Sequence, residues 1–348
     1  MKIGSGKDYK HLSEGDIPVF GTGGFMTSVN DYLMDGESVC IGRKGTINKP
    51  FYYSGKFWTV DTLFFTHSFK NIIPKFAFYA FEKINWLKYN EASGVPSLSK
   101  STIEQIETRI PSISEQKIIA NFLSHIDERI QCQSKIIERL ETLMKEMSEK
   151  LFSKKLRLKS SDGSNFSDWK TKRLREIGTF FSGGTPLTSK KHYYNGDIPF
   201  IKSGEINSDQ TEQFISDLGL KESSAKMVKV GDVIYALYGA TSGEVGISKI
   251  NGAINQAILC IRTDLNNVFL MNYLKQKKEI IIKTYLQGGQ GNLSAEIIKN
   301  LEVPIPCLPE QAKIADFLYS IDEKIEIEKQ ILDQYKNQKA YLLQNMFV

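Results

Sequence analysis

EQKIIANFLSHIDERI, residues 115–130, returns as EQAKIADFLYSIDEKI at residues 310–325. The offset is 195 and ten of the sixteen positions are identical. Each copy opens a run with apolar residues at helical spacing. The chain therefore reads as two tandem units, each ending in a long helix. Residues 114–155 run 42 positions without Gly or Pro, about 63 Å as a straight helix at ~1.5 Å per residue. Ile119, Phe122, Ile126, Ile130, Ile137, Leu140, Met144, Met147 and Leu151 fall near the 3.5 spacing of a heptad seam, with Gln133 in its one polar slot. Residues 310–347 repeat the pattern at Ile314, Phe317, Ile321, Ile325, Leu332, Tyr335, Leu342 and Met346, and Glu328 and Lys339 are expected to weaken it. Such a stripe is packing surface. Its natural partner is its own copy, because a globular domain between the helices carries the chain back and lets them lie antiparallel.

The offset holds beyond the helices. Gly36-Glu37 matches Gly231-Asp232, Leu98-Ser99 matches Leu293-Ser294, and Ile110-Pro111 matches Ile305-Pro306. Asp16-Ile17-Pro18 matches Asp197-Ile198-Pro199 at an offset of 181, so the second unit carries 14 more residues between Ile198 and Gly231. One scaffold with a variable insert fits this pattern better than a repeat array. The expected organisation is an α+β domain over 1–111, a long helix over 112–158, a polar linker over 159–167, a second α+β domain over 168–306 and a second long helix over 307–348. The fold class is α+β: two globular domains joined by two long antiparallel helices in a pseudo-two-fold tandem repeat.

Within the first domain, Ser38–Ile41 and Val60–Phe65 read as strands, Phe76–Leu87 as a helix, and the clusters at Gly21–Gly24 and Gly42–Thr46 as loops. In the second, Asp168–Ile177 reads as a short amphipathic segment, Asp232–Leu237 and Ala257–Arg262 as strands, and Leu270–Leu286 as a helix. The first unit has no counterpart of Asp168–Ile177, as expected of a gene product that starts short or was trimmed or recombined.

The composition excludes several classes. Hydrophobic residues make up 41% and charged residues 24%, ordinary for a globular protein. A net charge of +5 permits nucleic acid as a partner without demanding it. The cysteines Cys40, Cys132, Cys260 and Cys307 have no CxxC spacing, which suggests reduced thiols in a cytoplasmic protein rather than a zinc site or disulfide framework. No apolar run is long enough to span a membrane. Gly4-Ser5-Gly6-Lys7-Asp8 imitates a phosphate-binding loop but lacks its first glycine and its final Ser or Thr. The four histidines are scattered, and the Asn/Asp-Pro-Pro-aromatic signature of amino-methyltransferases is missing. Catalysis by this chain alone is not expected.

The layout resembles the specificity subunit (HsdS family) of a Type I restriction–modification system over essentially the whole chain. The resemblance rests on the doubled signature from Leu98-Ser99 to Gln116 and from Leu293-Ser294 to Gln311. It rests also on the helix start Glu115-Gln116…Ile119-Ala120 with Glu310-Gln311…Ile314-Ala315, and on Asp168-Trp169 followed by Gly183 and Asp197-Ile198-Pro199. It implies that each domain reads one half of a split sequence in double-stranded DNA while the helices fix the gap. It implies partners as well: two methyltransferase subunits, and restriction subunits that translocate DNA. S-adenosylmethionine, ATP and Mg belong to those partners, and none is expected on this chain.

Within that resemblance the candidate DNA contacts are loop cations beside glycine: Lys7, Lys10, Arg43 and Lys44 in the first domain, and Lys190, Lys191 and Lys202 in the second. Arg43 could fork onto a guanine edge, and the polar residues Tyr238, Thr241, Gln287, Gln290 and Asn292 could read bases. A surface lysine is as readily solubilising charge, and 287–292 as readily a plain loop. Tyr193 and Tyr194 read as packing rather than stacking residues. The readings from other classes are a coiled-coil interaction scaffold without DNA specificity, and a fused nuclease or methylase. Salt dependence of duplex binding separates the scaffold from the DNA reader.

Overall fold

The computed structural model describes residues 1–286 and 292–347. They form two compact units, Met1–Ile136 with Glu328–Val348, and Ile137–Ile327. The boundaries fall inside the two long helices, so each unit holds a globular domain and one half of each helix.

In the first unit β1 (Lys2–Ser5), β2 (Glu14–Gly21), β3 (Gly24–Val29), β4 (Met34–Gly42), β5 (Phe51–Thr59) and β6 (Leu63–His67) make one sheet in the order β1-β6-β4-β5-β2-β3. All neighbours are antiparallel except β2 and β5. The alternation of a strand explains why β4 is apolar throughout its end. Val39 and Ile41 join Ala77 and Phe81 in one core, whereas Cys40 joins Phe57, Leu63 and Phe65 in another. The expected strand at Val60–Phe65 begins instead at Leu63, because Val60–Thr62 forms the turn out of β5. Gly21–Gly24 is a tight hairpin turn with Gly24 at φ +104. The expected helix Phe76–Leu87 divides into α1 (Pro74–Lys83) and a 3-10 turn at Trp86–Tyr89. Its start is set by Pro74, whose fixed φ suits the first helical position. Trp86 Nε1 donates to the Phe81 carbonyl at 2.8 Å, which folds the chain back at that break. A short α2 (Lys100–Glu104) precedes α3 (Ile113–Phe152).

The second unit opens with β7 (Lys170–Arg173), a strand where an amphipathic segment was expected. β8 (Gly178–Ser182), β9 (Ile198–Ile201), β10 (Phe214–Ile215), α4 (Asp217–Lys221), β11 (Lys226–Val228), β12 (Val233–Ala236), β13 (Val245–Ile247), β14 (Gly252–Ile254) and β15 (Ile258–Thr263) follow. Then come α5 (Asn267–Tyr285), α6 (Ala295–Lys299), β16 (Glu302–Ile305) and α7 (Leu308–Met346). The sheets are β10-β9-β14-β11, β13-β12-β15-β8 and the pair β16-β7. α4 and β11 lie in the stretch where the second unit is longer, and β11 extends the sheet of β9 and β14. α5 starts earlier than its apolar pattern because Asn266 caps it, Oδ1 accepting from the Phe269 amide at 3.0 Å.

The helix halves pack antiparallel inside each unit. In the first, Ile119, Ala120, Leu123 and Ile126 meet Leu342, Leu343, Met346 and Phe347 together with Phe76 and Tyr79 of α1, and half-buried Ile130 joins them. In the second, Ile314, Ala315 and Leu318 meet Leu151 and Phe152, with Phe317 partly buried against them. Ile137, Ile321 and Ile325 are buried, and Leu140, Leu332 and Tyr335 half-buried. Phe122 departs from expectation. It is 45% exposed, and Leu123 fills the seam instead, because Leu123 lies seven residues before Ile130 and keeps the heptad that Phe122 breaks.

The two polar residues expected to weaken the second seam are both partnered. Gln133 Nε2 donates to the Glu328 carbonyl at 3.1 Å and to its carboxylate, both residues being buried. Lys339 lies 2.7 Å from both Glu82 and Asp127, and Tyr79 Oη donates to Asp127 at 2.8 Å. Burial still holds the Glu82 carboxyl above its ordinary range, with the Lys339 hydrogen bond opposing.

Candidate nucleic-acid interface

The residues at the turn Val60–Thr62 anchor two loops of the first unit. Gly6 N donates to the Leu63 carbonyl at 3.1 Å, Lys7 N to Thr59 at 2.8 Å, and Arg43 N to Thr62 at 2.8 Å. A side chain at Gly6 would meet the Val60 carbonyl oxygen at 1.9 Å, and one at Gly42 the Thr46 carbonyl oxygen at 2.1 Å. The glycines beside the cations are thus needed for close backbone approach. Lys7, Lys10, Arg43 and Lys44 are all exposed. Arg43 Nη1 donates to the Asp61 carbonyl at 3.2 Å, which aims the guanidinium without neutralising it. The far side of the loop is tied by the Gly45 amide to Pro96 and by the Leu98 amide to the Arg43 carbonyl, both at 2.8 Å.

A groove of about 700 Å³ opens here, lined by Arg43, Lys44, Asp61, Glu91 and Lys100 among others. Glu91 accepts from the Ser99 amide at 3.0 Å and from the Thr102 hydroxyl, and the latter bond leads in holding its carboxyl below the ordinary range. Lys100 was missed in the sequence. It follows Ser99, which caps α2 by accepting from the Thr102 amide at 3.1 Å, so the doubled Leu-Ser signature was the signal that could have found it.

The second unit builds the corresponding loop on the end of β12. Leu293 N donates to the Leu237 carbonyl at 2.9 Å, as Leu98 does to Arg43. Gly243 N closes the loop onto Ala236 at 2.9 Å, and Ser242 Oγ donates to Leu237 at 2.9 Å. Tyr238 and Thr241 are half-buried on this loop, and exposed Asn292 sits beside it through Leu293. Burial pushes the Tyr238 phenol up. Gln287 and Gln290 lie outside the described residues.

The basic loop of the second unit is elsewhere, at the 3-10 turn Lys191–Tyr193. Lys190 is already engaged: Nζ donates to Tyr193 Oη at 2.6 Å and lies 3.6 Å from Glu222. The Tyr193 hydrogen bond leads in raising its ammonium above the ordinary lysine range. Tyr193 is buried, and Tyr194 is half-buried with its hydroxyl on the Pro186 carbonyl. Lys191 is exposed, whereas Lys202 is half-buried at the end of β9, its amide donating to Glu205 at 2.9 Å. The structure therefore groups Arg43, Lys44 and Lys100, and separately Tyr238, Thr241 and Asn292. No hydrogen bond among the described residues joins Lys190, Lys191 or Lys202 to the second group.

Both units dock their long helix through the same glutamine. Gln116 Oε1 accepts from the Ile73 amide at 2.9 Å, and its Nε2 donates to Asn71 and Pro111. Gln311 Oε1 accepts from the Asn266 amide at 2.9 Å, and its Nε2 donates to Pro306. Each amide belongs to the residue that precedes the domain's main helix, so the glutamine fixes that helix to the long one. Among the described residues no group of three or more His, Cys, Asp or Glu is placed to hold a metal. Among the described residues no helix is long and apolar enough to cross a membrane. The four cysteines are free thiols, and burial pushes Cys40 and Cys260 up to about 12.

Comparison with known proteins agrees with this duplicated plan. The family model of the Type I restriction modification DNA specificity domain matches residues 4–142 and again 166–337. The specificity subunit of the Type I restriction enzyme MjaVIII of Methanocaldococcus jannaschii is 26% identical over 345 residues, covering 91% of this chain and 78% of that protein. The crystal structure of the S subunit of a Type I restriction–modification system from M. genitalium superposes with a TM-score of 0.69 at 18% identity, over 100% of this chain and 93% of the other. A chain from a structure of type I complex assembly and conformational transition superposes at 0.60 with 14% identity, over 99% and 94%. These two share the fold. With its family matched over both repeats, the chain belongs to the Type I restriction–modification DNA specificity family, as a tandem of two such domains.

Proposed function

We propose that this chain is the DNA sequence-specificity subunit of a Type I restriction–modification complex, reading a bipartite target with one loop system per domain. The observation that supports it best is the repetition of one loop site on two different chemistries: Arg43 and Lys44 in one unit, Tyr238 and Thr241 in the other, each pinned by the amide of the same leucine of the repeat. A fixed frame with interchangeable loop side chains suits two half-sites of different sequence. Cationic loops position on phosphates, and Arg43 is free to fork onto guanine O6 and N7. α3 and α7, with 40 and 39 residues, correspond to about 60 Å of helix each, enough to set half-sites about one ~34 Å turn apart.

The repeat offers one docking surface to each of two methyltransferase subunits, and restriction subunits join that core. S-adenosylmethionine, ATP and Mg reside on those partners, and the complex works in the cytoplasm. The interaction-scaffold reading has no observation in its favour that the specificity reading lacks.

The test is co-expression with the partner methyltransferase, followed by genome-wide mapping of N6-methyladenine against a methyltransferase-only control. A split motif with a fixed gap is the expected outcome, and methylation indistinguishable from the control would sink the proposal. Inserting one heptad into both helices, after Ile136 and after Ile327, adds about 10 Å. The gap should grow by about 3 base pairs while both half-sites stay unchanged.

A further inference from the structure

We propose that the tip of the β2–β3 hairpin is a DNA wedge, the Phe25 ring entering one base step of the half-site read by the first unit and unstacking it. The inference rests on the DNA-reading proposal and deepens it. Phe25 is the most exposed phenylalanine among the described residues, at 64%, and among them its ring meets no other aromatic ring. It follows the turn Gly21–Gly24, where a side chain at Gly23 or Gly24 would meet nothing within 4 Å. β3 is the outer strand of its sheet, so the tip stands clear of the domain. One exposed ring is ordinary by itself. Its place is not.

The tip is joined to the cationic loops. The turn Val60–Thr62, which anchors the Lys7 and Arg43 loops, also holds the hairpin, Val60 N donating to the Phe20 carbonyl at 3.0 Å. A side chain at Gly45, next to Lys44, would meet the Thr22 hydroxyl of the turn at 3.4 Å. Trp58 Nε1 donates to the Lys7 carbonyl at 2.9 Å, and Tyr9 and Leu12 pack with Trp58 on Val19 and Val29 of the hairpin strands. Residues 7–12, 43–45 and 60–62 thus set Lys7, Lys10, Arg43 and Lys44 around the hairpin, against the carboxylates of Asp8 and Asp61. An apolar plane framed by cations suits a polyanion built of stacked planes, which is duplex DNA.

A wedge must be stiff, because prising a base step apart works against its stacking. A side chain at Gly21 would meet the Met26 sulfur at 2.7 Å, so Met26 lies over the turn and braces it. Phe20, opposite Phe25 across the ribbon, is held by the rings of Tyr53, Phe51 and Phe57 at 4.9, 5.3 and 6.3 Å. The second unit lacks the device. Its counterpart strands β9 and β10 are joined by residues 202–213, where Thr211 Oγ1 donates to the Phe200 carbonyl at 2.9 Å. The Glu205 carboxylate ties down the rest, accepting from the Lys202 and Glu212 amides at 2.9 and 3.1 Å. Distortion is therefore expected in one half-site only.

The experiment gives the complex assembled with its methyltransferase duplexes of the split motif that methylation mapping returns, with 2-aminopurine placed in turn at each purine. Its fluorescence rises when the base is unstacked. The adenine to be methylated is flipped out by the methyltransferase and serves as the internal control. A second rise is expected at one step of the half-site that Arg43→Gln relaxes, lost in Phe25→Ala and kept in Phe25→Trp. Phe25→Ala should also weaken binding about tenfold, the effect of removing one stacked ring. The salt slope should not change, because no charge is removed. A complex that binds its motif with no second rise, or with one that survives Phe25→Ala, overturns the wedge and leaves DNA reading standing. A complex that binds no duplex overturns both. Loss of the methyltransferase from the Phe25→Ala complex would assign the tip to a protein partner and overturn the wedge as well.

Discussion

Glu115 and Glu310 hold the same place in the repeat and live in opposite surroundings. Glu310 is 0% exposed and gathers Arg157, at 2.9 and 3.2 Å, and the Trp169 indole. Glu115 faces solvent. The neighbouring glutamines, by contrast, make the same docking bonds in both units. The difference separates what the repeated helix start does by itself from what depends on the segment around Trp169. Glutamine docking needs only the domain's own helix, whereas the carboxylate becomes structural only when an indole and a guanidinium are brought to it.

That contrast gives the largest expected effect. Glu310→Ala leaves a guanidinium and an indole N–H without their acceptor and should cost about 2–4 kcal/mol, discounted because Arg157 is partly exposed. Glu115→Ala should stay within about 0.5 kcal/mol. Urea unfolding of the full chain, read at the transition of each unit, checks both, and equal losses would erase the distinction.

Next comes Lys339, whose counterpart in the second unit is Met144, an apolar residue packed against the core. Lys339→Met imposes the second unit's solution on the first and strands Glu82 and Asp127 together. A loss of about 2–3 kcal/mol is expected. Adding Glu82→Gln and Asp127→Asn should restore most of it, and a triple variant no better than the single one would refute the ion-pair account.

For the loops, Arg43→Gln should weaken DNA binding by the assembled complex by about 1–2 kcal/mol and relax one half-site only. Thr241→Ala should relax the other half-site with no change in salt slope, since no phosphate-neutralising charge is removed. Binding isotherms at several salt concentrations tell the two apart, and identical slopes for all variants would count against a cationic role for Arg43.

The smallest effect is a pH dependence in the second unit. Arg262 grips Asp232 through Nε at 2.9 Å and Nη2 at 2.6 Å. Burial pushes that carboxyl up, but the Arg262 bonds and the Lys229 amide outweigh it and hold it below the ordinary range. A depressed folded pKa means that the stabilisation is complete above the unfolded value of ~3.9 and is lost as pH falls through the lower folded one. Asp232→Asn should therefore cost about 1 kcal/mol at neutral pH, with Arg262 partly exposed. The gap from the unaltered chain should narrow as pH falls through the range of that carboxyl, and a gap independent of pH would contradict the assignment.

The long helices were legible because a duplicated sixteen-residue stretch with helical periodicity leaves little choice. The docking glutamines were legible as motif members, but not as caps of another helix, since their partners lie 43 and 45 residues away. The strand β7 was not legible within the amphipathic segment because Lys-Thr-Lys-Arg has no apolar alternation, and its strand character comes from β16, far along the chain. Phe122 stands one residue off the heptad, which Leu123 keeps, and two adjacent large apolar residues hid which of them faces the seam. Among the loop cations, Lys190 is engaged by Tyr193 and by Glu222, the latter supplied by the longer stretch of the second unit. Composition gives no notice of such a partner.

Gln133 and Glu328 are one position of the repeat meeting its own duplicate, 195 residues apart. At such a spot a sequence identical in both copies must face itself, and two glutamates would crowd two carboxylates into a buried contact. Glutamine opposite glutamate removes that clash for the unlike pairing alone. One diverged residue thereby makes the two copies better company for each other than either is for itself.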